Sequence, residues 1–193
     1  LVCLGVSYDG RIRNPYPFHV YPGLNNGDMY SFEYAAKLIL RENPDVVVVF
    51  NDLHIVHHYI NTILDYGKIN DIKARLVPLF PVNLLPLDKG HILTLSHTQS
   101  ISEAMTYTGF SAKKVKEINP NINITPIYHG VDRETYFPLA NIKQSLGLKD
   151  YFVVGNVNSN TYRKRLDLFL VGFAKFAKGK PDVRCLIHAT NRD

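Results

Sequence analysis

With 193 residues, 46% of them hydrophobic, and a formal net charge of +5, the chain can bury a full core and reads as globular rather than disordered. Its cations are scattered, at Lys113, Lys114 and Lys116, at 163–165, and at Lys175, Lys178 and Lys180, with no interleaved aromatic platform or zinc spacing, which excludes a recognisable nucleic-acid binder. The two cysteines, Cys3 and Cys185, lie far apart in apolar strand-like runs, which excludes a disulfide scaffold and reads as small buried hydrophobes in a reducing, cytoplasmic compartment.

The chain opens inside an apolar run, LVCLGV, and stops four residues after another, RCLIHA, so a piece cut at both ends is expected. No apolar run approaches the length of a membrane span or has the flanks of a signal peptide. That leaves peripheral membrane contact as the one membrane role open. Residues 37–50, KLILRENPDVVVVF, predict a helix end, a Pro-Asp turn and a parallel strand, because a four-valine run without alternation fits a sheet covered on both faces. The same grammar returns in KFAKGKPDVRCLIHA at 175–189, which predicts two similar α/β domains rather than one continuous sheet.

A helix is expected from Leu53 to Leu64, a strand over Ala74–Phe80, a loop rich in proline at Pro78, Pro81 and Pro86, and a strand at Ile92–Ser96. A helix from Gln99 to Thr108 would stop at Gly109, a short basic helix would run from Ser111 to Ile118, and a strand NITPIY would lead to His129. Residues 130–149 lose strand character. The expected division is therefore a domain over 1–130, a linker with a helix over 131–149, and the start of a second domain over 150–193.

The strand YFVVGNV, the polar loop NSNTY and the cations Arg163, Lys164 and Arg165 then predict a helix whose first turn is basic. A helix amino end carries roughly half a positive charge, so each cation there is unfavourable by about 0.3–1 kcal/mol unless an anion binds. Strand, loop and basic helix start therefore point to a phosphate site, against the alternative of a solvated charge run. Asp52 and His54 follow the carboxyl end of the valine strand, where open α/β sheets present ligand-contacting groups, although Asp52 also suits an N-cap. His129 ends a strand in the same way. Asn158 and Asn160 suit either ligand hydrogen bonds or turn chemistry, and no metal-ligand spacing occurs.

The stretches PIYHGVDRETYFP, VVGNVNSNTYRKRLDLFLVGFAKF and PDVRCLI together resemble the interdomain junction and second-domain start of GT-B fold glycosyltransferases, more narrowly the group-one class of retaining enzymes, family four. Pro126, Gly130, Val131, Asp132, Phe137, Pro138, Gly155, Arg163, Lys164, Asp167 and Phe173 carry the likeness. It is strong over 126–187 and weak before 90. The asparagine after the strand glycine, with the Arg-Lys-Arg triplet, is similar to members from bacteria and large DNA viruses of algae.

The resemblance implies two Rossmann-like domains, both incomplete here. It implies an enzyme that transfers a sugar with retention, without metal or other cofactor, from a GDP- or UDP-linked donor to a glycan or other hydroxyl acceptor. GDP-mannose is the donor to test first. Lys164 matches the family's phosphate lysine and Arg163 stands beside it as the second catalytic cation. Asn156, where many members carry arginine, would join Asn158 and Asn160 in a donor loop, while Asp52, His54 and His129 would face the acceptor. The family's paired-glutamate donor motif lies beyond this sequence. The rivals are a non-enzymatic nucleotide- or polyanion-binding module and a GT-B fold sugar epimerase or phosphorylase.

Overall fold

The computed structural model describes residues 1–11, 16–24, 28–96, 100–101 and 103–190. Contacts divide the chain into two compact units, Leu1–Gly130 and Val131–Asp193. Both are mixed α/β, and every pairing between named strands is parallel.

In the first unit, β1 (Val2–Gly5) and β2 (His19–Pro22) form a two-stranded sheet. A four-stranded sheet has the order β3 (Val46–Phe50), β4 (Arg75–Phe80), β5 (Ala104–Thr106) and β6 (Ile124–Pro126). Helices α1 (Phe32–Glu42), α2 (Leu53–Asn70), α3 (Lys89–Thr94) and α4 (Gly109–Ile118) alternate with the strands. On α2 the buried residues Val56, Tyr59, Ile60 and Ile63 recur at three- and four-residue spacing, forming the apolar stripe that an α-helix lays on a core. Asn43 ends α1 in the left-handed region at φ 46°, a conformation asparagine tolerates, and Pro44 follows. The core joins these helices to Leu76 and Phe80 of β4, Ala104 of β5 and Ile124 of β6.

Three sequence expectations are corrected in this unit. The valine strand is not covered on both faces: Val47 and Val49 pack inward, but Val46, Val48 and Phe50 are 52%, 57% and 57% exposed, and β3 is an edge strand. The expected strand at Ile92–Ser96 falls on helix α3 and the turn after it, because Asp88 caps the helix by accepting from the backbone N–H of His91, and Ile92 and Leu95 turn to one buried side. The expected helix from Gln99 to Thr108 is instead β5 where it is described, at Ala104–Thr106; Gln99 and Ser102 lie outside the described residues. Gly109 does not stop that helix. It opens α4, with Thr108 as N-cap accepting from the Ser111 N–H at 3.1 Å.

The second unit begins with α5 (Ile142–Ser145), after which Gly147 takes φ +68°, open to glycine without strain. Strand β7 (Phe152–Ser159), a 3-10 turn (Tyr162–Lys164), helix α6 (Leu166–Ala177) and β8 (Val183–Thr190) then form one parallel crossover, in register from Phe152 opposite Val183 to Ser159 opposite Thr190. Phe152 meets Phe176 of α6 at 6.2 Å between ring centroids, so the even-numbered residues of β7 face the helix. Of the buried apolar side chains in the described residues, only Val183 belongs to this unit. Cys3 and Cys185 are free and half-buried rather than fully buried. Among the described residues no helix is long and apolar enough to cross a membrane.

Candidate functional site

Because β3 to β6 are parallel neighbours, their carboxyl ends share one edge of the sheet, and the segments leaving that edge carry the polar groups that meet there. Asp52 stands at the N-cap position of α2 just past β3, yet its side chain makes no cap hydrogen bond. Its Oδ1 accepts from Asn83 Nδ2, beyond β4, at 2.7 Å, and Asn51 Oδ1 accepts from the Asp52 N–H at 2.8 Å. Tyr107, the residue after β5, lies 4.0 Å from the ring of His129, beyond β6, and 6.0 Å from Phe50 at the end of β3. Burial, and next the charge of Asp52, push the Tyr107 phenol pKa up.

Two of the three acceptor-side residues read from sequence, Asp52 and His129, thus converge on Tyr107. His54 is exposed on the first turn of α2. Sequence reasoning missed Tyr107, Asn83 and Phe50; the available signal was an aromatic or amide side chain at or just past the carboxyl end of a parallel strand.

A separate polar cluster joins α2 to α3. His57 Nε2 lies 3.2 Å from Thr94 Oγ1 and 3.1 Å from Asn61 Nδ2, and its ring is 4.4 Å from that of His91. Burial, then the neighbouring His91, lower the His57 pKa. Two surface cavities lie elsewhere in the unit. One, of about 420 Å³, is lined by Asn61, Leu64, Lys68, Ile72 and Leu76; the other, of about 410 Å³, by Ser31, Glu33, Lys37, His58 and Thr62. Neither includes a candidate residue. No group of three or more His, Cys, Asp or Glu among the described residues is arranged to hold a metal ion.

In the second unit the three cations do not open the helix. Arg163 and Lys164 lie in the 3-10 turn, and Arg165, at φ 47°, is the N-cap of α6. Arg165 grips Asp167 through two hydrogen bonds, Nε to Oδ1 at 3.0 Å and Nη2 to Oδ2 at 2.8 Å, which holds the Asp167 carboxyl well below the usual range, at about 2. An acidic first turn thus offsets the helix dipole locally, and the basic-helix-start argument does not carry to the helix itself. Arg163 and Lys164 remain exposed, and neither has an acidic partner among the described residues.

Asn156 and Asn158 lie within β7, on its helix-facing side, and only Asn160 is in the loop, where its N–H donates to Thr190 O at 3.2 Å. The Oδ1 of Asn156 is buried without a hydrogen-bond partner among the described residues. Asp132 accepts from the Thr135 hydroxyl and the Glu134 N–H, which lower its pKa, the hydroxyl most, and fix the turn near the start of this unit.

No protein-family model matches the chain, and no curated protein matches it.

Proposed function

We propose that the chain belongs to a retaining, metal-independent glycosyltransferase of the GT-B type, built on two Rossmann-like domains and using a nucleoside diphosphate sugar. The observation that carries this reading is the pair Arg163 and Lys164. Both are exposed on a tight turn past the carboxyl end of a parallel strand and lack an acidic partner among the described residues, while the adjoining Arg165 is neutralised by Asp167. Two uncompensated cations at such a position suit a diphosphate.

As the bond from the sugar's anomeric carbon to the diphosphate oxygen breaks, negative charge gathers on the leaving diphosphate. Cations fixed beside it stabilise that state more than the ground state, which is what accelerates transfer. In this reading Asn156, Asn158 and Asn160 serve the donor, and the Asp52–Tyr107–His129 edge receives the acceptor.

The test is a thermal-shift series of GDP, UDP, ADP, the corresponding monophosphates and the sugar conjugates on the chain and on Lys164→Ala. A ligand that binds only the native state raises Tm, by about 2.7 kcal/mol of added stability at a hundredfold excess over Kd. A diphosphate shift that exceeds the monophosphate shift and disappears in Lys164→Ala is expected. Equal shifts in both proteins remove the site assignment.

A further inference from the structure

We infer that β3 is the docking strand of a homodimer: its open side pairs antiparallel with the same strand of a second copy, about a two-fold axis through Val48. In the order β3-β4-β5-β6 only β3 and β6 are lateral strands. β6 spans three residues and ends on Pro126, a short, proline-blunted border of the kind that resists pairing. β3 has neither protection. Val46–Phe50 is a run of β-branched and aromatic residues without charge or proline, in unbroken register with β4, and among the described residues no strand pairs with its outer side.

The ladder to β4 decides which backbone groups face outward. The Arg75 N–H donates to Asp45 O at 2.9 Å and the Asn51 N–H to Leu79 O at 3.3 Å, so the odd-numbered residues of this segment turn their N–H and C=O groups to β4. Val46, Val48 and Phe50 therefore turn theirs to the open side. An antiparallel copy centred on Val48 sets Val46 opposite the partner's Phe50, Val48 opposite the partner's Val48, and Phe50 opposite the partner's Val46. Every outward N–H and C=O of both strands is then used.

A strand of another protein could satisfy the same donors; the fit of this sequence to itself selects a second copy. At the ends of the ladder Asp45 meets the partner's Asn51, and Pro44 meets the partner's Asp52, so no like charges oppose one another. The two Asp45 carboxylates stand about six residues, or about 20 Å, apart along the seam, beyond the screening length of physiological salt.

The side chains fit the same pairing. Val46, Val48 and Phe50 are each more than half exposed and lie on one face of the strand. An axis normal to the sheet keeps that face on the same side in both copies, so the two stripes join into cross-strand Val–Phe and Val–Val pairs. A ladder of 5 residues covers less than the roughly 800 Å² per partner of a standard interface, so the dimer is reversible and controlled by concentration.

Sedimentation equilibrium on the whole chain, across a hundredfold range of micromolar concentration, tests the oligomeric state, and amide-resolved hydrogen exchange tests the strand. The mass should rise from the 22.0 kDa of one chain toward twice that value and stop. Over the same range the Val46, Val48 and Phe50 amides should gain at least tenfold protection, while those of Val47 and Val49, already donated to β4, change little. Val48→Lys, which places like charges opposite each other on the axis, should raise the dissociation constant at least tenfold. Val46→Lys and Phe50→Glu should each weaken the dimer, and the double variant should restore it, because this register brings those two positions together across the seam. Circular dichroism of each variant confirms folding, and the exchange pattern of the unaltered chain keeps the test decisive should Val48→Lys not fold.

A chain that stays monomeric throughout overturns the inference, whether or not an added strand-forming peptide protects its outward amides. So does a dimer that Val48→Lys leaves intact, or one that leaves the three outward amides unprotected. A mass that keeps climbing past two chains overturns it as well, since closed two-fold pairing ends at the dimer.

Discussion

Asn156 isolates a conflict between stability and use within a single side chain. Its Oδ1 is buried and unpartnered among the described residues, on the helix-facing side of a strand where Ile187 of β8 stands opposite. An unmade hydrogen bond of this kind destabilises by roughly 1–3 kcal/mol, whereas a β-branched hydrocarbon suits the position. Asn156→Val is therefore expected to raise Tm in a thermal melt. If the amide also serves a donor, as proposed, the same variant shows a smaller nucleotide-induced shift, which is the signature of a residue kept for binding at the expense of folding. A lower Tm in Asn156→Val would mean that the amide is satisfied in a way the buried Oδ1 does not reveal.

Among the elements, the junction of α2 and α3 holds a group that titrates near neutral pH. The groups facing His57 are His91 and Asp88 on the α3 side and His58 on its own helix, and burial together with His91 depresses its pKa. The unfolded chain takes up a proton near the ordinary value of about 6.5, before the folded one does. The stability that neutral His57 contributes is therefore complete above that pH and is lost as pH falls through the folded pKa. Tm should drop as pH falls below about 6.5, and His57→Gln should flatten that part of the profile.

Local propensity made some of these elements legible along the chain and hid others. The runs VVVVF and YFVVGNV announced β3 and β7 because their apolar, β-branched residues fit a strand in any context. ILTLS at 92–96 has the same appearance but lies largely within α3, since the Asp88 cap and the buried pair Ile92 and Leu95 outweigh local propensity. AMT at 104–106 looks helical and becomes β5 only because β4 and β6 are both there to pair with it. At the site, Asp52 and His129 were legible as strand-end polar residues. Their meeting at Tyr107 was not, because it depends on the order of four strands rather than on any spacing along the chain.

Over the whole molecule the two units differ in how much hydrocarbon they hide. The first gathers its helices around Val56, Ile60, Leu76 and Phe80, all fully or almost fully buried, while among the described residues of the second only Val183 is a buried apolar side chain, and Leu168, Val171 and Val157 are 55%, 54% and 76% exposed. Burial of apolar surface is the main term opposing chain entropy, so local opening should be easier where less is buried. Hydrogen exchange is expected to protect the amides of β4 longer than those of β7 and β8. Equal protection across the three strands would show that the two units open as one.

The exclusively parallel pairing of the named strands has a kinetic corollary. A hairpin can zip from its own turn, but each of these ladders closes only after a connecting segment has been crossed, as with the 23 intervening residues between Ser159 and Val183. The loop entropy is spent before the first rung forms, and refolding from denaturant is accordingly expected to lag behind that of helical bundles of similar length. During that interval the valines of β3 would lie open to other chains, so recovery of native protein should decline as refolding concentration is raised.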